Sequence, residues 1–327
     1  MSSSVLPLVL VTHTLPDGWL ASLEGRCQML VGPVDATYLA PELEAHLAEA
    51  QGIYTLLTIQ IDERLLRLAP NLRVVSNMAV GVDNVDLPAC TRRGIPVGNT
   101  PGVLTEGTAD LAMALLLAAA RRLPESSEDA RQGLWKTWSP AGWLGADLYG
   151  ATLGIVGMGK IGSAVAERAQ AFGLRLVYTN PDPRPEVEDR LGAVRLPVED
   201  LLSQSDFVSL HVPLTSQTRG LIGETALRRM KPEAILINTS RGPVVDTGAL
   251  VEALSSGWIA AAALDVTDPE PLPPEHPLYG LRNCLITPHI GSATWNTRRR
   301  MAQRAAENLL AGLDGRKLLF CANPEVY

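Results

Sequence analysis

Three charged side chains draw attention through their types and their settings. Arg241 lies in the segment Asn238–Pro243, Glu270 in Leu264–Pro271 and His289 in Thr287–Thr294. Each follows an apolar run that reads as a buried strand, and ligands of open α/β sheets bind outside the carboxyl ends of the strands. A guanidinium can grip a carboxylate through two parallel hydrogen bonds and polarise a nearby carbonyl. An imidazole can hand a proton to a carbonyl oxygen. A carboxylate beside that imidazole favours its charged form and fixes the ring. The set suits reduction of a 2-keto acid, given a source of hydride. Spacing alone does not show that the three residues meet.

A hydride source is suggested by Gly157, Gly159 and Gly162, which form a GxGxxG pattern between an apolar strand and a helix. In that context the first glycine allows a tight turn, the second lets backbone approach a pyrophosphate, and the third lets the helix pack close to the strand. The pyrophosphate would rest on the free N–H groups of the helix N-terminus. An acidic ribose reader is expected about 20 residues on. Asn180 stands there instead, followed by Asp182 and Arg184. A neutral Asn180 does not repel a 2′-phosphate and Arg184 can pair with one, which favours NADP(H). Asp182 keeps NAD(H) open. Of the other histidines, His211 reads as structural, and His13, His46 and His276 carry no signal.

These groups need a scaffold. Strands are expected at Leu8–Thr12, Met29–Gly32, Gly52–Thr58, Arg73–Met78 and Ile95–Gly98, with short helices at Gly18–Leu23, Pro41–Ala50, Asp62–Leu68 and Leu87–Arg93. Apolar strands alternating with helices imply a parallel sheet covered on both faces. A long helix, Thr105–Leu123, and an arm, Arg131–Leu148, with Trp135, Trp138 and Trp143 follow. The alternation then restarts: strands at Thr152–Val156, Arg175–Thr179, Phe207–Val212, Ala234–Asn238, Ala261–Asp265 and Cys284–Thr287, with helices at Ile161–Phe172, Val198–Gln204, Gly223–Met230 and Gly248–Ser256. This predicts a second parallel sheet of six or seven strands. A last helix, Thr294–Leu313, can return to the N-terminal domain.

Composition narrows the partners. The 327 residues suffice for two domains, and a net charge of −7 argues against nucleic acid or an anionic membrane. The longest apolar run, Leu111–Ala120, is too short to span a bilayer. The run Val5–Val11 lacks the flanks of a signal peptide and reads as a first strand. Cys27, Cys90, Cys284 and Cys321 are scattered, as expected of reduced thiols in a cytoplasmic protein with no metal site.

The stretches Val80–Asn84, Thr105–Asp110, Leu153–Gly162, Ile237–Asp246, Ala263–Pro273 and Thr287–Thr294 together resemble the D-2-hydroxyacid dehydrogenases, and within them the glyoxylate/hydroxypyruvate reductases. The resemblance runs along nearly the whole chain. It implies a Rossmann dinucleotide-binding domain at 101–290 inserted into a flavodoxin-like substrate domain made of 1–100 and 291–327, with hinges near Pro101 and Gly291. It implies that Arg241 binds the substrate, that His289 is the acid/base and that Glu270 orients it. The backbone of Val80, Gly81 and Val82 would hold the substrate carboxylate, and Asp265 the nicotinamide carboxamide. Thr108, Met158, Lys160, Ile161, Val212, Pro213, Thr218, Thr239 and Gly291 would surround the cofactor. The arm would cross a homodimer interface, with Trp138 entering the partner's substrate site. D-lactate and phosphoglycerate dehydrogenases are rival enzymes; a dinucleotide-sensing binding module is a rival of another class. The chain stops too early for the regulatory domain usual in the phosphoglycerate enzymes.

Overall fold

A computed structural model describes residues 6–327. Within it, strands pair in parallel in two separate sheets, one in each of two units. One unit runs to Leu104 and resumes at Thr294–Tyr327; the other is Thr105–Ala293. These divisions fall a few residues beyond the Pro101 and Gly291 expected from the sequence.

The first unit contains β1 (Leu8–Val11), β2 (Gln28–Val31), α1 (Pro41–Glu44), β3 (Gly52–Thr55), α2 (Glu63–Leu68), β4 (Val74–Asn77), α3 (Leu87–Arg92) and β5 (Val97–Gly98). Val5, where the first apolar run begins, lies outside the described residues. The strand order is β2-β1-β3-β4-β5, the flavodoxin-like arrangement. Every residue of β3 and β4 is buried, as strands covered on both faces require. The helices are shorter than the sequence suggests. Pro41 starts α1, but the chain after Glu44 continues as turns, and Gly18–Leu23 yields only a 3-10 turn at Ala21–Leu23.

The second unit contains α4 (Thr105–Ala120), α5 (Leu123–Arg131), β6 (Thr152–Val156), α6 (Lys160–Ala171), β7 (Arg175–Thr179), α7 (Pro185–Leu191), β8 (Val194–Arg195), α8 (Val198–Gln204), β9 (Phe207–Leu210), α9 (Glu224–Arg229), β10 (Ile235–Asn238), α10 (Thr247–Ser255), β11 (Ala261–Leu264) and β12 (Cys284–Ile286). Its order, β12-β11-β10-β9-β6-β7-β8, is the doubly wound Rossmann order with one more strand at the far edge. The order reverses between β6 and β9, so the crevice at the ends of these strands is where a dinucleotide binds.

Three elements lie outside the sequence expectation. Helix α5 is separate because Arg122 takes a left-handed conformation (φ 52°) and Pro124 opens a new first turn. Helix α7 buries only Val187, and β8 has two exposed residues, so neither carries an apolar period. Pro185 at the start of α7 and Gly192 at its end are the readable signals.

The last helix, α11 (Trp295–Leu313), belongs to the first unit. Thr294 caps it by accepting from Thr297 N. Its buried face, which includes Met301, Ala305 and Leu309, covers the first sheet. Tyr54 Oη donates to Ala302 O at 3.2 Å and Ser76 Oγ to Ala305 O at 2.7 Å, which fixes the helix over β3 and β4. Within the described residues no helix is long and apolar enough to cross a membrane.

Candidate active site

Strands β10, β11 and β12 are neighbours, and the loop after each carries one of the three charged residues. Backbone packing joins the first two. Gly242, directly after Arg241, lies so close to the segment before Glu270 that a Cβ there would fall 1.8 Å from Thr267 O. No side chain fits that gap, so Gly242 holds the Arg241 loop against the Glu270 loop. Asn238 Nδ2 donates to Arg241 O at 2.9 Å, and Arg241 Nη1 donates to Ser240 O at 2.7 Å.

His289 is held from below by Asp265, which is 2% exposed. The Asp265 carboxylate accepts from Thr287 Oγ1 at 2.6 Å, Ile290 N at 2.8 Å and Gly291 N at 2.8 Å. His289 N donates to Asp265 O at 3.0 Å. These bonds sustain a left-handed backbone at His289 (φ 52°), a region that costs a non-glycine residue about 1–3 kcal/mol.

The ring then meets Glu270. His289 Nδ1 donates to Glu270 Oε1 at 2.5 Å, and Thr267 N donates to Glu270 Oε2 at 3.3 Å. Burial pushes the Glu270 carboxyl up, but the His289 hydrogen bond and charge, the Thr267 N–H and the Arg241 charge outweigh it. Its pKa falls below the ordinary value, so Glu270 is ionised at neutral pH. An ionised acceptor assigns the proton on Nδ1. Nε2 has no partner among the described residues, and the His289 side chain is 30% exposed. The result is an oriented, solvent-accessible imidazole paired with a carboxylate that also feels the Arg241 charge. It can give or take a proton at Nε2.

The glycine turn is shaped for a dinucleotide. Gly157 has φ 99°, and a Cβ there would fall 2.7 Å from His211 O. A Cβ at Gly162 would fall 2.2 Å from Gly157 O, so α6 rests on the turn itself. At Gly159, the residue before α6, a Cβ would meet nothing within 4 Å. That open space beside the N–H groups of a twelve-residue helix fits a pyrophosphate. Met158 is buried beneath it, while Lys160 and Ile161 open the helix.

Around the crevice, Thr239 Oγ1 is buried without a hydrogen-bond partner, an unmet polar group of the kind a bound ligand satisfies. Thr108 Oγ1 donates to Gly291 O at 3.2 Å, joining α4 to the His289 loop. Val212 is half-buried and Pro213 exposed after β9, and Thr218 Oγ1 donates to Pro213 O at 2.6 Å, closing that loop. Beside them, burial pushes His211 down to about 4, so it is neutral at physiological pH. Its Nε2 meets Ser209 Oγ at 2.8 Å.

At the end of β7 the Asn180 side chain is already engaged. Its Oδ1 accepts from Met158 N at 3.2 Å and its Nδ2 donates to Asp182 O at 2.9 Å. Asn180 therefore braces the turn as well as lining it. Arg184 N donates to Tyr178 Oη at 2.7 Å, and Arg184 Nε is buried without a partner. Sequence reasoning missed Arg195. From β8 it donates to Asn180 O at 2.9 Å and also to Pro181 O at 2.5 Å, which puts a second guanidinium on this turn. Only the pairing of β7 with β8 brings it there.

Two predicted segments stand apart from this cluster in the chain. Val80, Gly81 and Val82 follow β4 in the first unit and are half-buried. Trp138 is 79% exposed on the arm, with Trp135 at 74%. The arm's Trp143 lies under the guanidinium of Arg122, 4.9 Å from the ring centroid. A cavity of about 730 Å³, lined by Ala120, Arg122, Leu144, Ala261 and Cys284, lies at the opposite end of the sheet from His289. Among the described residues no group of three or more His, Cys, Asp or Glu is arranged to hold a metal ion.

The chain is similar to known proteins over most of its length. Residues 113–291 match the family model described as D-isomer specific 2-hydroxyacid dehydrogenase, NAD binding domain. A glyoxylate reductase of Korarchaeum cryptofilum is 50% identical over 306 residues, which are 93% of this chain and 92% of the relative. A crystal structure of a Thermus thermophilus protein superposes with a TM-score of 0.90 at 51% identity, covering 96% of this chain and 99% of that one. A structure of an NADPH-dependent glyoxylate/hydroxypyruvate reductase from Sinorhizobium meliloti, in complex with NADP and malonate, has a TM-score of 0.84 at 32% identity and covers 98% of both chains.

Proposed function

The chain belongs to the D-isomer specific 2-hydroxyacid dehydrogenase family, and from that premise we propose that it reduces glyoxylate, hydroxypyruvate or both to the 2-hydroxy acid. The observation that carries the reading is the 2.5 Å His289–Glu270 pair with a free Nε2, whose carboxylate also feels the Arg241 charge. The names of the Korarchaeum and Sinorhizobium relatives support the substrate class. A bound nicotinamide dinucleotide would supply the hydride. Arg241 grips the substrate carboxylate and polarises the keto group, and the N–H groups of Val80–Val82 take the carboxylate as well. His289 gives its Nε2 proton to the carbonyl oxygen as that oxygen gains charge. Glu270 stabilises the imidazolium before transfer and holds the ring afterwards. Asp265, which keeps the His289 loop in place, takes the nicotinamide carboxamide with its remaining lone-pair capacity. The Gly157–Gly162 turn holds the pyrophosphate, with Thr108, Thr239, Val212, Pro213, Thr218 and Gly291 around the rest.

The preferred cofactor in this reading is NADP(H). Asn180 puts no negative charge at the end of β7, Arg195 brings a guanidinium onto the turn, and Arg184 closes the same loop with its guanidinium 3.9 Å from Glu186. NAD(H) is the second reading, favoured by the Asp182 carboxylate on the same turn. The protein acts as a homodimer through the Arg131–Leu148 arm, whose exposed tryptophans suit burial against a second copy. Initial rates of glyoxylate reduction with NADPH and with NADH test the proposal. Faster turnover with NADPH is expected. Faster turnover with NADH transfers the ribose role to Asp182 and leaves the chemistry intact. No rate with either cofactor, on glyoxylate or hydroxypyruvate, refutes the substrate assignment.

A further inference from the structure

The loop after β4 carries a device that the motifs do not reveal. We propose that Asn77 and Asn99 are positioning residues, which turn two successive peptide units so that the N–H groups of Gly81 and Val82 face a substrate carboxylate together. The proposal rests on the reading above that Val80–Val82 holds that carboxylate.

Strands β4 and β5 pair in parallel with Val75 opposite Val97 and Ser76 opposite Gly98. One step further along this register brings Asn77 and Asn99 side by side at the carboxyl ends of the two strands, on one face of the sheet. Each reaches a different carbonyl of the loop. Asn99 Nδ2 donates to Val80 O at 2.9 Å, and Asn77 Nδ2 donates to Gly81 O at 3.0 Å. Both peptide bonds are trans. In a trans peptide the carbonyl and the next N–H point in opposite directions. With the Val80 carbonyl drawn toward Asn99, the Gly81 N–H must point away from it. With the Gly81 carbonyl drawn toward Asn77, the Val82 N–H does the same. Neither N–H has an acceptor among the described residues, and both residues are half-exposed. Consecutive free N–H groups of this kind form an anion-binding concavity.

Asn77 cannot easily swap donor for acceptor. Asn84 Nδ2 donates to Leu56 O at 3.1 Å and to Ile59 O at 2.9 Å, so Asn84 Oδ1 faces Asn77. Asn77 Nδ2 donates to that oxygen at 3.0 Å. Both hydrogens of the Asn77 amide are thus committed, one to Asn84 and one to the loop. Asn77 is fully buried and Asn84 is 5% exposed, so the network has no water to substitute for it. The loop N–H groups are aimed before substrate arrives, which removes a reorganisation that would otherwise oppose binding.

The test uses Asn99→Ala and Asn99→Asp beside Val82→Pro, which deletes one of the two N–H groups. With either Asn99 variant, KM for glyoxylate should rise about tenfold or more, the scale of one hydrogen bond to a charged group. Turnover at saturation should change less than threefold, and both the reduced-cofactor Kd and the melting temperature should stay near wild type. Val82→Pro should raise KM as much. If Val82→Pro raises KM and the Asn99 variants do not, the positioning role is refuted while the carboxylate assignment stands. If none of the variants changes KM, the loop does not hold the carboxylate and both fall. In the wild-type protein, oxamate should shift the amide resonances of Gly81 and Val82; unshifted resonances overturn the proposal even where a variant fails to fold.

Discussion

Replacing Gly159 and Gly162 by alanine, one at a time, separates ligand binding from folding within a single turn. At Gly159 the backbone has φ −80° and ψ −163°, a conformation open to any residue, and an added Cβ meets nothing within 4 Å. Alanine is a poorer helix cap than glycine by roughly 0.5–1 kcal/mol, but it lowers the entropy of the unfolded chain by about 0.4–1 kcal/mol. The two effects nearly cancel, so the melting temperature should move by no more than about 2 °C. The same methyl group occupies the space proposed for the pyrophosphate. Removing close backbone contact with a charged group should cost about 1.5–3 kcal/mol, or roughly 10- to 150-fold in cofactor Kd. At Gly162 an added Cβ would fall 2.2 Å from Gly157 O and 3.2 Å from Ile155 Cγ2. Backbone must move, and overpacking of this kind costs about 3 kcal/mol. For a unit of this size that is a fall of roughly 6–12 °C. Thermal melting without ligand and a fluorescence titration with NADPH read both effects. A Gly159→Ala protein that melts early yet binds NADPH normally would refute the reasoning, as would a Gly162→Ala protein as stable as wild type.

His289→Gln should lower turnover by about 10²–10⁴ with cofactor affinity retained, measured by steady-state rates and NADPH titration; near-normal turnover removes His289 from the reaction. Glu270→Gln should lower turnover, because a neutral amide holds the Nδ1 proton of His289 less firmly than an ionised carboxylate; unchanged turnover contradicts the pairing. Its effect on stability has a defined sign. The Glu270 carboxyl is held below its ordinary range, so its stabilising contribution is complete above pH ~4.3 and fades as pH falls through the lower folded value. Melting temperatures of wild type and Glu270→Gln should therefore differ near neutrality and converge in acid, and a gap that widens in acid would count against it. Trp138→Ala should weaken the proposed dimer or change the ranking of glyoxylate against bulkier keto acids, by sedimentation and by kcat/KM; no change in either refutes the arm's role.

Much of this protein is legible in one dimension, for reasons of range. Strands buried on both faces are runs of apolar residues, so β3, β4, β6 and β10 announce themselves locally. The GxGxxG turn is a local device: its tight fold and the close approach of α6 involve residues a few positions apart. Motifs at the ends of strands also reveal Arg241, Glu270 and His289, because a parallel sheet puts the residue after each strand on the same edge. Elements with one buried residue or none, such as α7 and β8, show no period and escape notice.

What lies between distant segments only the folded chain decides. The 1.8 Å gap at Gly242 and the three bonds to the Asp265 carboxylate depend on backbone from separate strands meeting at one place. So do the engagement of Asn180, the second guanidinium that Arg195 brings to its turn, and the register that sets Asn77 beside Asn99. A residue's type and its neighbours in sequence state what it can donate or accept. The partner it meets is a matter of which strands lie side by side, and no local pattern encodes that.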